Sequence, residues 1–466
     1  MIGWDASKIA AVSGASLLGQ EARSDRGSPT RAVIDSRALK PGELFIGLGG
    51  QSADGGVFAA QALRAGAWGV LVRPEHAQRL DASEGVVLAH EDPLAALQNL
   101  ARAWRGELKA KVIAITGSTG KTSTKDILAA LLAGHLRSFA SPQNFNTEIG
   151  LPLALLAAPA TSEVLVLELG MRGSGQIAQL AQIARPDIGV ITNIGPVHLE
   201  LLGSLPAIAA AKAELIAALP AGSTVVIPGG EPLLEGHLRA DLKTVTFGAD
   251  ADTKLVEQSA DGEVVIYHVG ELTRLRPSFS QPHNLHNLLA AVAVARALGV
   301  APAGRLQVSF SGLRGERLNL AKGITLINDC YNANPVSMRA ALDDLAQSAD
   351  GRRVAVLGDM LELGSQELAY HRQVGEYAAA QGVELLVTVG PLATAMREGF
   401  AGEAHSASDA PAAARLLIGL LRAGDTVLVK GSRGVGMERI ATILEASLTD
   451  EPSSPVGTDE HVAEAS

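Results

Sequence analysis

A hydroxyl, an ammonium and a run of backbone amides can together hold a polyphosphate, and residues 116–122, TGSTGKT, bring all three into one short stretch. Gly117 and Gly120 let backbone N–H groups close on a phosphate. Lys121 supplies a mobile charge and Thr122 a hydroxyl for Mg²⁺. Thr116, Ser118, Thr119 and Ser123 complete the polar lining of this candidate nucleotide triphosphate site. The stretch departs from the longer G-x-x-x-x-G-K-[ST] pattern, because Ile115 stands where that pattern needs a glycine. The plainer alternative is a glycine-rich turn that caps a helix.

Other residues could complete the chemistry. Glu168 closes the apolar run VLVLELG, so its carboxylate emerges at a sheet edge, where a hard cation would be held beside a loop threonine; otherwise it caps the next turn. His198, in TNIGPVHLELLGS, lies past another strand end and is structural or catalytic with equal weight. Lys212 and Glu214 share a helix and need no explanation beyond a solvated face. Asn284 and Asn287 are three apart on a helical face, where amides can pair with a purine edge; on spacing alone, Asn284 is better read as an N-cap. Arg317 and Asp329 could straddle a nucleotide. NDCYNANPVSM and KGSRGVGM, with Asn332, Asn334, Lys430 and Arg433, put polar groups at strand ends, which is also plain turn chemistry. Asp35, Ser36 and Arg37 could bind a ligand, but the turn reading is favoured.

These side chains need elements to position them. An apolar run at 111–115 precedes the glycine-rich stretch and an apolar-periodic segment runs to 132, which reads as strand, turn, helix. Strand-like runs follow at 164–169, 188–194, 224–228 and 243–247, with helical patterns at 176–184 and 207–219. Alternation of this kind implies a mostly parallel sheet with ligands at the carboxyl ends of its strands. Residues 254–280 alternate like antiparallel strands, and a helix is expected over 284–298. The polar RGERLNLAKG reads as a linker. Beyond it, strands at 325–328, 353–357, 385–389 and 426–429 predict a second doubly wound sheet. Upstream, strands at 43–48 and 68–72 flank a helix at 57–65.

The expected class is therefore α/β with three domains, at 1–108, 109–313 and 314–449. A central P-loop ATPase-like, mostly parallel sheet is flanked by an N-terminal mixed α/β domain and a C-terminal Rossmann-like domain. Residues 450–466 read as a disordered tail. The net charge of −10, from 39 basic and 49 acidic residues, argues against nucleic acid as the main partner. The single cysteine, Cys330, excludes an internal disulfide and any multi-cysteine metal site, and its apolar neighbours suggest a buried thiol. No signal peptide or membrane span is evident, so a cytoplasmic protein is expected.

Taken together, TGSTGKT at 116–122, E-L-G at Glu168, GPVH ending at His198, AKAE around Lys212, Asn284 with Asn287, and Arg317 with Asp329 resemble the Mur ligases, which form amide bonds in bacterial cell-wall precursors at the expense of ATP. The short phosphate loop also resembles that family's own. NFNTEIGLP from Asn144, DCYNANPVSM, GDMLELG and KGSR resemble the branch that adds D-alanyl-D-alanine to UDP-N-acetylmuramoyl-tripeptide. The resemblance implies ATP with two Mg²⁺ ions. It implies metal contacts from Thr122, Glu168 and His198, and a CO₂-derived carbamate on Lys212 as a further ligand. Catalysis would rest on Lys121, Glu168, His198 and Lys212. Asn284 and Asn287 would meet adenine, and Arg317 and Asp329 phosphate and ribose. It also implies that the first domain binds the UDP portion, through Asp35, Ser36 and Arg37. Asn144 and Thr147 would contact the sugar-peptide, and Asn332, Asn334, Lys430 and Arg433 the dipeptide, in a monomer. Two alternatives remain: a family member adding a single amino acid or extending folate with glutamate, and a P-loop module that uses ATP only as a switch.

Overall fold

Along the strand Lys111–Thr116, Val112 and Ala114 face one apolar core while Ile113 and Ile115 face another. Alternate side chains of a strand point to opposite faces, so this strand is buried on both sides. Its neighbour Val164–Glu168 repeats the pattern, with Leu165 and Leu167 on the first face and Val164 and Val166 on the second. In the computed structural model, which describes residues 3–19, 27–50, 54–142 and 144–448, the two faces are covered by helices. Pro93–Glu107 places Ala96, Leu97, Leu100, Ala101 and Trp104 against the first. It starts sharply because Asp92 accepts from the Leu94 and Ala95 amides and Pro93 occupies the first turn. Lys121–Leu132 and Pro282–Ala297 cover the second face.

The sheet they cover has ten strands, all within the first of two compact units, Met1–Ser311. Lys111–Thr116 lies between Val164–Glu168 and Ile188–Ile191, parallel to both. Their carboxyl ends therefore converge, and with them residues 117–122, 169–171 and 192–198. Thr224–Pro228 and Lys243–Phe247 extend the parallel part. Thr253–Gln258, Val264–His268 and Glu271–Pro277 form the expected antiparallel segment. A separate five-stranded sheet runs Ser16–Leu18, Val86–Ala89, Gly69–Val72, Leu44–Ile46, Ala32–Val33, parallel except at its first pair.

In the second unit, Gly312–Ser466, six strands run Glu316–Leu320, Ile324–Asn328, Thr426–Lys430, Arg353–Gly358, Leu385–Val389, Glu403–Ala407. All pairs but the first are parallel. The expected linker is thus an edge strand: Glu316–Leu320 pairs antiparallel with Ile324–Asn328. Only Leu318 and Leu320 reach the core, and the outward side chains gave the stretch its polar reading. Cys330 is buried as expected, its Sγ 3.2 Å from the Val429 carbonyl. The tail at 450–466 lies outside the described residues.

Candidate active site

The phosphate loop takes its shape from its two glycines. Gly117 has φ +148° and Gly120 φ +78°, conformations that side chains rarely adopt. A Cβ on Gly117 would fall 1.8 Å from Thr192 Oγ1, and one on Gly120 2.4 Å from Asn287 Oδ1. Gly120 opens the helix Lys121–Leu132, so the amides of its first turn face the loop rather than a preceding turn of helix. Lys121 Nζ donates to the Gly117 carbonyl at 2.9 Å and Ser123 is half-buried in the first turn. Thr116 Oγ1 is buried and has no hydrogen-bond partner among the described residues.

Residues with no motif of their own brace this loop. Asn193 Oδ1 accepts from the Ser118 and Thr119 amides at 3.1 and 2.9 Å. Thr192 Oγ1 donates to the Thr119 carbonyl, and Ser118 Oγ exchanges hydrogen bonds with Gly195. The loop is thereby fastened to the end of the next strand, three residues before His198. His198 itself is half-buried with φ +54°, an uncommon conformation for a non-glycine residue. It opens the short helix Leu199–Leu202.

Thr122 Oγ1 donates to Glu168 Oε2 at 2.6 Å, and both residues are buried. Asn146 Nδ2 donates to the other carboxylate oxygen, Oε1, at 2.8 Å. A hydroxyl and a carboxylate side by side at the head of a phosphate loop are hard oxygen donors, so the residues fit Mg²⁺. The carboxylate is braced from behind. Its backbone amide donates to Ser141 Oγ at 3.3 Å, and the buried Lys125 donates to the Ser141 carbonyl at 2.8 Å.

Lys212 lies on the helix Leu205–Ala218 and is 2% exposed. Burial, and then the charge of Lys121, push its ammonium well below the usual lysine range. The solvated-face reading of Lys212 and Glu214 is therefore wrong. Glu214 accepts from the amides of Gly175 and Ala178, capping the helix Gln176–Ala184. Small neighbours, Ala209, Ala211 and Ala213, hide the burial of this helix from a polarity pattern.

Asn284 is likewise not an N-cap, since its helix starts earlier, at Pro282 behind Gln281. Both asparagines are buried. Asn287 lies against Gly120, and Asn284 Oδ1 has no partner among the described residues, an unmet acceptor where the sequence expects a base. Near Glu168, Asn144 is exposed and Thr147 Oγ1 accepts from the Gly150 amide at 3.3 Å, at the start of the helix Gly150–Ala157. After the strand Ala32–Val33, Asp35 accepts from the Arg37 side chain and amide, and Ser36 is half-buried between them. The Arg37 guanidinium holds the Asp35 carboxyl down at about 2. That is the turn the spacing favoured.

In the second unit, the buried Lys430 forms an ion pair at 2.7 Å with the half-buried Asp329. Lys430 also donates to the Asn332 carbonyl at 2.9 Å. Asn332 Oδ1 accepts from the Ala333 amide, and Asn334 caps Pro335–Ser348 in a reciprocal pair with Ser337. Arg317 is paired with Asp344 at 2.8 Å, and Arg433 lies 3.8 Å from Glu438. Of these six, Asp329, Asn332, Asn334 and Lys430 lie at or just past the carboxyl ends of two neighbouring strands, Arg317 lies on the edge strand and Arg433 closes the turn after Lys430.

Two family models match the chain: Mur ligase middle domain over residues 115–295 and Mur ligase, glutamate ligase domain over 313–433. The chain is 37% identical over 433 residues to the UDP-N-acetylmuramoyl-tripeptide--D-alanyl-D-alanine ligase of Bacillus subtilis (strain 168), covering 90% of this chain and 93% of that one. It is 33% identical over 434 residues to the ligase of the same name from Escherichia coli (strain K12), covering 90% and 94%. Among solved structures it resembles MurF from Acinetobacter baumannii, with TM-score 0.82, 28% identity and coverage of 95% and 99%. It also resembles the MurF ligase of Thermotoga maritima in complex with ADP, with TM-score 0.77, 28% identity and coverage of 91% and 99%.

Proposed function

The chain belongs to the Mur ligase family, and from that premise we propose that it joins D-alanyl-D-alanine to UDP-N-acetylmuramoyl-tripeptide with conversion of ATP to ADP and phosphate. The substrates follow from relatives that span nine-tenths of the chain. The carboxylate-activating chemistry rests on one observation above all: the Thr122 hydroxyl meets the buried Glu168 carboxylate at the head of the phosphate loop.

The peptide carboxylate attacks the γ-phosphorus of ATP, the bond to the β-phosphate oxygen breaks, and ADP leaves behind an acyl phosphate. The amine of D-alanyl-D-alanine then attacks the acyl carbon, loses a proton and expels phosphate. The difficulty is to hold two anions in line at near-contact distance. The backbone amides at the start of the helix Lys121–Leu132 and the Lys121 ammonium hold the phosphates. Thr122 and Glu168 would hold one Mg²⁺, and His198 with Lys212 a second. The bound ions would neutralise charge across the β- and γ-phosphates and the acyl oxygen. Burial and the nearby Lys121 favour the neutral Lys212 amine that carbamate formation with CO₂ requires.

The same reading gives residues 1–108 the UDP portion, 109–313 the nucleotide and 314–449 the dipeptide, in a cytoplasmic monomer. No helix among the described residues is long and apolar enough to cross a membrane. Phosphate release from ATP tests the activity. It should require both UDP-N-acetylmuramoyl-tripeptide and D-alanyl-D-alanine for sustained turnover. Slow release indifferent to both would mark a nucleotide switch instead.

A further inference from the structure

In the second unit, His371 is fully buried on the helix Glu367–Ala380, yet neither of its nitrogens is idle. Nε2 accepts from the Met360 amide at 2.9 Å, so Nδ1 carries the proton and donates to the Glu367 carbonyl at 2.7 Å. Burial holds the ring below the usual histidine range, in keeping with a neutral acceptor. The amide it grips belongs to GDMLELG, the loop that follows the strand Arg353–Gly358.

That loop is tied to the turn after Thr426–Lys430. The Ser432 amide donates to the Asp359 carbonyl at 3.0 Å, and the Leu361 amide donates to Ser432 Oγ at 2.9 Å. The two segments pack closely: a Cβ on Gly431 would lie 3.2 Å from the Gly358 Cα, and one on Gly434 3.1 Å from the Leu361 side chain at Cδ1. Ser432 Oγ also reaches the Ala333 carbonyl at 3.4 Å, beside Asn332 and Asn334. The Asp359 side chain faces the other way, accepting from the Ala393 amide at 2.6 Å.

We propose that His371 is a positioning residue for the dipeptide pocket: by accepting from the Met360 amide it fixes the 359–363 loop, and the loop fixes the Lys430–Arg433 turn through Ser432. The proposal rests on the reading of that turn as part of the D-alanyl-D-alanine site. Met360 and Leu363 are buried on either side of the half-exposed Leu361. The loop is therefore pinned by its two apolar ends and by the imidazole between strand and turn. Loss of the acceptor leaves a buried amide unpaired and frees the loop to shift.

The test is steady-state kinetics of the full chain, varying each substrate in turn. His371→Leu should raise the KM for D-alanyl-D-alanine about tenfold or more, while the KM for ATP moves less than about twofold. His371→Gln, which restores an acceptor oxygen, should recover most of that loss. Ser432→Ala, which keeps the histidine and removes the Leu361 anchor, should show the same selective rise and guards against a His371 variant that fails to fold. An unchanged dipeptide KM in the folded variants, or an equal rise for ATP, overturns the proposal. Unmodified protein that makes no D-alanyl-D-alanine adduct overturns the site reading beneath it, and is scored before any variant.

Discussion

Lys212 presents the sharpest energetic puzzle among single residues, because an ammonium that deep in protein is held only at a large cost to its charged form. Conversion to a carbamate would resolve it by turning the group into an oxygen ligand. Lys212→Ala should then lose at least about a thousandfold in ligation rate, with partial recovery in added formate or acetate; product formation by chromatography checks both. Full activity without recovery would remove the residue from the site. Glu168→Gln keeps the shape but weakens the oxygen donor beside Thr122, and should raise the Mg²⁺ concentration for half-maximal ADP binding about tenfold, read by calorimetry. Lys121, Thr122 and Glu168 were legible because a strand end and a glycine turn announce them. Asn193, Asn146 and Lys125 were not. They act through amide, carboxylate or carbonyl contacts across 74 or 75, 22 and 16 positions, and no spacing rule links residues that only the sheet brings together.

Among the elements, the phosphate loop tolerates little change. Gly117→Ala must place a side chain at φ +148° and against Thr192 Oγ1, costing about 1–3 kcal/mol for the backbone alone. Urea unfolding should show that loss, and ATP binding should weaken with it because Thr192 also braces Thr119. The strand–turn–helix unit was legible from an apolar run followed by a helical period, and the strands at Val164–Glu168 and Thr224–Pro228 for the same reason. Ser16–Leu18 and Ala32–Val33 were not, since strands of three and two residues carry no measurable alternation. The helix Leu205–Ala218 was read in place, but its alanines disguised which face is buried. Asn334 shows the converse: residues suited to bind a ligand are also suited to cap a helix, and here the cap is made.

At the scale of the whole molecule, one buried and two half-buried histidines contribute to the response to acid. His268, His286 and His371 are each held below their ordinary value of 6.5, chiefly by burial. The unfolded chain therefore binds more protons than the native one below that pH. Their contribution is fully present above pH 6.5 and declines as pH falls through it. The urea midpoint should accordingly be lower at pH 5.5 than at pH 7.5, whereas a flat or rising midpoint would mean these rings titrate normally. The order of ten strands in one sheet and six in another lay beyond the sequence, because it depends on pairings between distant segments, while the alternation that implies such sheets did not. Incubated with ATP, Mg²⁺, UDP-N-acetylmuramoyl-tripeptide and D-alanyl-D-alanine, the protein should yield a species heavier than the tripeptide substrate by the dipeptide less one water, in step with ADP. ADP formed without that mass, or the mass formed without ATP, would contradict it.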